Sequence, residues 1–429
     1  MSFRTSLSGL DASATELSVI GNNIANASTN GFKESRTEFA DVFATSFAGV
    51  GGSTPGSGVR VASISQQFGQ GNVEFTSSSL DLAVSGEGFF ILEENGSQSY
   101  TRAGAFNTDK DGFVVDSSGR QLQTFPANSN GTFNTGTLAS LQLSTGDSAP
   151  LATTSVDPVL NLNSQETIPS IYTVVAGAIT DPGSFDVNNA DSFNHSTSTT
   201  VYDSLGNNFP ATMYFVTSNP SANEWQVHTF VDGQPITVNG GEDFFTMSFD
   251  SLGSFADITT GAGTTTDGSV SFDPKASIVG AADLSLTFDY GDTTQYGGDF
   301  AVNSLSQNGF ASGRLSGISI DATGAVSATF TNGQASVLGQ VALANFPNNG
   351  GLRQLGDTSW AETFSAGDRV IGSAGTAGFG AIQSGALEAS NVDIATQLVS
   401  LITAQRNFQA NAQAISTENE IQTAIINIR

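Results

Sequence analysis

Apolar residues near the start of the chain recur in alternating steps of four and three: Phe3, Leu7, Leu10, Ala14 and Leu17, then Gly21 and Ile24. A stride averaging 3.5 residues puts them on one stripe of a helix, as in a coiled-coil seam. The C-terminal stretch repeats the stride with Ile394, Leu398, Leu401, Gln405, Phe408, Ala412 and Ile415. Ile421, Ile425 and Ile428 then continue an apolar stripe on a slightly rotated face. Between residues 30 and 385 there is no comparable stretch, and the pattern turns to β. Ala83-Val84 and residues 86–92 predict a short apolar strand, and residues 100–115 predict two strands around Asp109-Lys110-Asp111-Gly112. Residues 212–216 and 225–231 predict strands flanking a Ser/Asn/Pro loop, with Asp232-Gly233 closing the next hairpin. Residues 49–58, rich in Gly, Ser and Pro, read as a linker.

The end helices are poorly provided for as a lone pair. Each buried Leu, Ile or Phe contributes about 1.5–3 kcal/mol, against about 1–2 kcal/mol per residue for fixing the backbone. Ala14, Gly21, Gln405 and Ala412 dilute the stripes, so such helices are marginal alone and copies of the chain are expected to supply the missing contacts. On the C-terminal segment, Gln405, Asn407, Gln409, Asn411, Gln413 and Asn419 leave the other faces polar yet nearly uncharged. A solvated helix usually carries Lys and Glu there, so this face is expected to line something or to meet other helices.

Composition and charge narrow the function. Among 429 residues, 48 Gly argue for short strands joined by many turns, and 31 Phe against 2 Trp and 6 Tyr supply an apolar filler suited to β cores. The 40 acids and 13 bases give a formal net charge of −27, which disfavours nucleic acid and acidic lipid as partners. Residues 151–313 hold 18 acids against one base, Lys275, and so read as a separate, strongly solvated domain. No apolar run reaches the ~18 residues of a membrane span, so no membrane insertion is expected. No basic n-region precedes an apolar segment, so no cleavable secretory signal is expected either. The absence of Cys excludes disulfides, thiolate nucleophiles and Cys-ligated metals.

Enzymatic readings find little. The only imidazoles are His195 and His228, with no nucleophile-elbow pattern to join. The Asp109 turn resembles a calcium loop superficially, but counting Asn107 as the first position puts Ser118 where a bidentate Glu is required. Residues 49–58 lack the Lys-Ser/Thr ending of a phosphate loop. No catalytic residue, metal or cofactor is expected.

The run Gly21-Asn22-Asn23-Ile24-Ala25-Asn26-Ala27-Ser28-Thr29-Asn30-Gly31-Phe32-Lys33 resembles the N-terminal signature of flagellar rod, hook and hook-associated axial proteins. Glu388, Ser390, Asn391 and Val392, followed by Gln405 and Arg406, are similar to their C-terminal signature. Leu80 to Phe90 and Tyr100-Thr101-Arg102-Ala103-Gly104-Ala105-Phe106 look like strands of the hook and distal rod members. Val201-Tyr202-Asp203-Ser204-Leu205-Gly206-Asn207 and Ser304-Leu305-Ser306-Gln307-Asn308-Gly309-Phe310 resemble the insert that hook members carry and rod members lack.

Together these readings predict an α+β, mostly β chain, nested and multidomain. Paired terminal coiled-coil helices (1–28 and 388–429) form an inner tube core, and residues 29–70 a linker with inter-subunit contacts. An inner β domain (71–150 and 314–387) carries an outer β domain (151–313) inserted into it. The resemblance implies a hook subunit in a flexible hollow tube around an export channel, outside the cell. It also implies assembly through Phe3, Leu7, Leu10, Ala14, Leu17, Ile24, Ile394, Leu398, Leu401, Phe408, Ala412 and Ile415. Implied partners are other copies, the distal rod protein, the hook-filament junction protein, hook cap and length-control proteins, and the flagellar export apparatus. Alternatives are a distal rod or hook-associated axial protein, or a secreted β-rich adhesive module.

Overall fold

The computed structural model describes residues 3–42, 56–128, 130–143, 146–180, 185–238, 241–276 and 280–427. Residues 49–55 of the expected linker, and Ile428 of the last stripe, lie outside the described residues. Two compact units result. One comprises residues 1–145, 316–329 and 335–429, and the other residues 146–315 with 330–334.

The first unit begins with helix α1 (Phe3–Ala25) and ends with helix α2 (Ile394–Asn427). Asp393 caps α2, its Oδ1 accepting the Ala395 and Thr396 amides at 2.8 and 3.2 Å. After α1 the chain turns into a hairpin of strands Ser35–Asp41 and Val59–Gln66. The β part of this unit is organised by the long strand Ala335–Asn345, which pairs with Ala325–Phe330, Gln121–Pro126, Val370–Ser373 and Phe89–Glu94. Phe90 and Leu92 pack into one core with Leu122, Val341 and Ile382, while Phe89 and Ile91 pack into another with Tyr100, Phe125 and Trp360. Alternate residues of this strand are thus buried on opposite faces, which explains why residues 89–92 read as a continuous apolar run.

The second unit is a β-sandwich. Its larger sheet runs, antiparallel throughout, from His195–Tyr202 through Asn208–Asn219, Glu224–Val231 and Phe244–Phe249 to Phe255–Thr260. Its smaller sheet centres on Ser155–Asn163, flanked in parallel by Thr287–Asp289 and Thr294–Tyr296 and antiparallel by Ala301–Gln307. Strand Phe244–Phe249 alternates half-buried and buried positions, sending Phe245, Met247 and Phe249 into a core with Val156, Leu160, Phe215, Trp225 and Phe288.

One turn chemistry recurs in both units. At Asp109, Asp116, Asp203, Asp250 and Asp321 the aspartate Oδ1 accepts the amides two and four residues on, each at 2.8 or 2.9 Å. Three residues after each Asp stands a Gly with φ between 81° and 85°, which a side chain adopts only with strain. The Asp109 loop that superficially suggested calcium is one of these, joining Asn107–Thr108 to Val114–Val115.

Candidate assembly surface and its buried clamp

The two helices run antiparallel. The Asn23 side-chain amide donates to Gln397 Oε1 at 3.3 Å, and at the other end Gly9 lies against Asn411. In this register residues 418–427 run past Phe3 by about 15 Å. On α1 the contact face is mostly small or polar, with Ser6, Gly9, Ser13 and Asn23 beside the apolar Ile20, and of these all but Gly9 are buried. On α2 Gln397 and Ala404 are buried, and Leu401, Phe408, Ala412 and Ile415 are half-buried. The side of α1 at Ser8 takes the hairpin, where the Val59 amide donates to Ser8 Oγ at 3.2 Å.

The stripe read on α1 is therefore not the one that meets α2. It is turned roughly a quarter of the circumference away, with Leu10, Leu17 and Ile24 half-buried and Phe3, Leu7, Ala14 and Gly21 exposed. Ile394, Leu398 and Gln405 are likewise exposed on α2, together with Val399 (66%), Ile402, Ile421, Ile425 (64%) and Ile426. Each helix thus carries an apolar face that no part of its own chain covers among the described residues.

The helices are anchored by a buried polar clamp. Glu388 has no exposed surface; its Oε1 accepts from Lys33 Nζ at 2.6 Å and from the Gly71 amide at 2.9 Å, and its Oε2 from Arg102 at 3.3 Å. Lys33 donates also to the Gly69 carbonyl at 2.8 Å, and Arg102 lies 5.2 Å from the Phe89 ring centroid, over its face. Burial pushes the pKa of Lys33 and of Arg102 down, while the Glu388 carboxylate pulls both back up. Two cations share one carboxylate in a dry site, so losing the carboxylate would strand both, while losing Lys33 would leave a paired Arg102–Glu388.

Around the clamp, side chains from both ends interlock. Asn23 Oδ1 accepts the Ser35 amide at 3.0 Å, Asn391 Oδ1 accepts the Glu34 amide at 2.8 Å, and Gln397 donates to Glu34 at 2.9 Å. Gly31 sits at φ 69°, where a Cβ would come within 2.4 Å of the Ala103 nitrogen, and Phe32 is buried beside it.

The signature residues divide accordingly. Asn23, Gly31, Phe32, Lys33, Glu388 and Asn391 meet at the clamp. Asn26 and Thr29 share a local hydrogen bond at 3.2 Å, and Ser390 Oγ accepts the Val392 amide at 3.3 Å. Asn22, Ala25, Gln405 and Arg406 face outward on the helices. Sequence reasoning missed Gln397 and the small-residue face Ser6-Gly9-Ser13, whose own three-and-four stride was the available signal. It also quoted Arg102 only as part of a strand, although a cation beside an apolar strand pair calls for a buried partner.

Helices from the two chain ends are thus paired antiparallel and pinned to the β part of the first unit, so that both ends of the chain form one element. Residues 3–33 match the flagella basal body rod protein family, and residues 383–428 the flagellar basal body rod FlgEFG protein C-terminal family. Residues 83–171 match the flagellar hook protein FlgE/F/G D1 domain, and residues 161–310 the flagellar basal body protein FlaE D2 domain. The chain belongs to the flagellar hook protein family. It is 38% identical to the flagellar hook protein FlgE of Salmonella typhimurium over 445 residues, covering all of both chains. It is 32% identical to that of Borreliella burgdorferi over 456 residues, covering 100% of this chain and 99% of the relative. The crystal structure of Helicobacter pylori flagellar hook protein FlgE2 shares the fold, with a TM-score of 0.53 at 16% identity, over 74% of this chain and 100% of that one.

Proposed function

We propose that this hook-family chain is the repeating structural subunit of a flexible hollow tube that joins rod to filament and passes torque between them. The observation that supports it is the uncovered apolar surface of both helices, Phe3, Leu7, Leu398, Val399, Ile402 and Ile425 above all. A soluble monomer gains nothing from such faces, whereas a helical array of copies buries them. The clamp then transmits load, because it fixes both helices to the β part of the first unit. The reading is non-enzymatic. Its further partners are the distal rod protein at one end, the hook-filament junction protein at the other, and the cap, length-control and export components during growth. Export proceeds through the flagellum's own machinery.

The test keeps the chain whole. Leu7→Glu and Ile402→Glu each place a charge on an exposed position, so the monomer should unfold at its normal denaturant midpoint. Under polymerising conditions, electron microscopy should show short curved tubes for the parent chain and none for either variant. Tubes of normal length from the double variant would refute the assignment of these faces.

A further inference from the structure

The larger sheet of the second unit ends on strand His195–Tyr202, which pairs on one side only, with Asn208–Asn219. The pairing runs without a bulge from His195 opposite Phe215 to Tyr202 opposite Asn208. Edge strands are ordinarily kept from pairing with other chains by Pro, Lys, bulges or short length. His195-Ser196-Thr197-Ser198-Thr199-Thr200-Val201-Tyr202 is eight residues long and carries none of these devices.

The phase of the pairing decides which backbone groups are left over. At the hairpin turn the Asp203 amide donates to the Asn207 carbonyl at 3.0 Å. Antiparallel alternation then turns the odd-numbered residues of the strand toward Asn208–Asn219 and the even-numbered ones outward. One outward position is already used: Tyr202 donates its amide to Thr153 Oγ1 at 2.9 Å and accepts the Thr153 amide at 2.8 Å. Ser196, Ser198 and Thr200 are exposed, and their outward amides and carbonyls have no partner among the described residues. Spaced two residues apart, they offer alternate donors and acceptors in one line, which is the ladder a further strand needs.

Charge selects what fits that ladder. The segment 151–313 holds 18 acids and one base. Asp191 stands exposed just ahead of the strand, and Glu166 lies 3.4 Å from His195 at its first residue. A second copy would bring the same acids to the same edge, whereas a basic strand is drawn to it.

We propose that this edge takes up an extended basic segment of another protein as an added β-strand. The segment's backbone pairs with Ser196, Ser198 and Thr200, and its Lys or Arg side chains answer the surrounding acids. The inference rests on the second unit alone and is independent of assembly through the helices.

The test titrates dilute full-length chain with the acetylated and amidated peptide Lys-Thr-Val-Thr-Val-Thr-Lys, following backbone amides by NMR. Saturable shifts and slowed hydrogen exchange at Ser196, Ser198 and Thr200 are expected, with a Kd on the order of 0.1 mM. The same peptide N-methylated at its three central residues cannot donate ladder bonds there and should lose about tenfold or more in affinity. Ser198→Pro removes an amide that the sheet itself does not use, so the chain should keep its urea midpoint and bind about tenfold more weakly. The counterpart Glu-Thr-Val-Thr-Val-Thr-Glu should bind as poorly as the N-methylated peptide. Equal binding of the N-methylated peptide, or shifts confined to other residues, would overturn the added strand. Equal binding of the Glu-flanked peptide would overturn its basic character. Protection of the three amides that grows with chain concentration and ignores the peptide would make the occupant a second copy, and so overturn the proposal as well.

Discussion

Gly9 of α1 packs directly on Asn411 of α2: a Cβ at Gly9 would lie 2.7 Å from Asn411 Oδ1. The antiparallel helices approach this closely because that position carries no side chain. Gly9→Ala sets about 1 kcal/mol of improved helix propensity against the need to move a short amide aside, and should leave the pairing nearly unchanged. Gly9→Val cannot be accommodated by the amide alone and should cost ~1–3 kcal/mol. Limited proteolysis of the monomer should therefore cut both helices faster in Gly9→Val, with Gly9→Ala close to the parent.

The clamp makes a graded prediction. Glu388→Gln leaves Lys33 and Arg102 buried without their shared carboxylate, a loss of ~3–5 kcal/mol. Lys33→Met keeps the Arg102–Glu388 pair and fills the same volume with an apolar stem, so it should cost far less. Urea unfolding of the full chain should rank parent, Lys33→Met and Glu388→Gln in descending midpoint. Equal midpoints for the two variants would show that the carboxylate's doubled pairing does not govern stability.

These contacts mark how far the sequence could be read. The end helices and the β interior were legible because period 3.5 and period 2 are properties of short windows. The partner of each helix face was not. The stride through Phe3 and Leu7 marked an apolar stripe but did not say which residues meet the chain's other helix and which are left for copies. Here Ser6, Gly9 and Ser13 meet α2, and the large residues stay outside. Lys33 and Glu388 stand 355 residues apart, so no local pattern could pair them; the resemblance brought both into view as signature residues without giving their role. The Asp-x-x-Gly turns lay in plain sight, yet only at Asp109 was the turn singled out, since their identity shows in the hydrogen bonds to residues two and four places on.

At Asp203 that turn is buried, and Asn207 adds a side-chain bond of 2.8 Å to the carboxylate. Asp203→Ala leaves the Leu205 and Asn207 amides without their acceptor, at a cost of ~1–2 kcal/mol. Asp203→Asn retains an oxygen in the same place and should recover about half of that. Chemical denaturation of the full chain, followed at Trp225 of the same unit, should separate the three proteins in that order.

Acid should weaken the second unit well before the aspartates titrate. Burial pushes His228 down from 6.5 to about 4, with a backbone hydrogen bond to Asp243 only partly opposing it. Between those values the unfolded chain takes up a proton that the folded chain refuses. Stability is therefore intact above pH 6.5 and falls as pH drops toward 4, by an amount on the order of 3 kcal/mol in all. His195 acts in the same direction, because burial lowers it while Glu166, 3.4 Å away, pulls it back. Asp203 and Asp321 titrate lower: burial raises each, but the hydrogen bonds they accept outweigh it and hold both below 3.8, so their stabilisation is lost only in a more acidic window. His228→Phe retains a ring against Phe185 and removes the titration. Urea midpoints measured from pH 7 to pH 4.5 should fall steadily for the parent and much less for His228→Phe, with His195→Phe/His228→Phe flatter still. A His228→Phe curve parallel to the parent's would mean that this imidazole takes up its proton in the folded chain as readily as in the unfolded one.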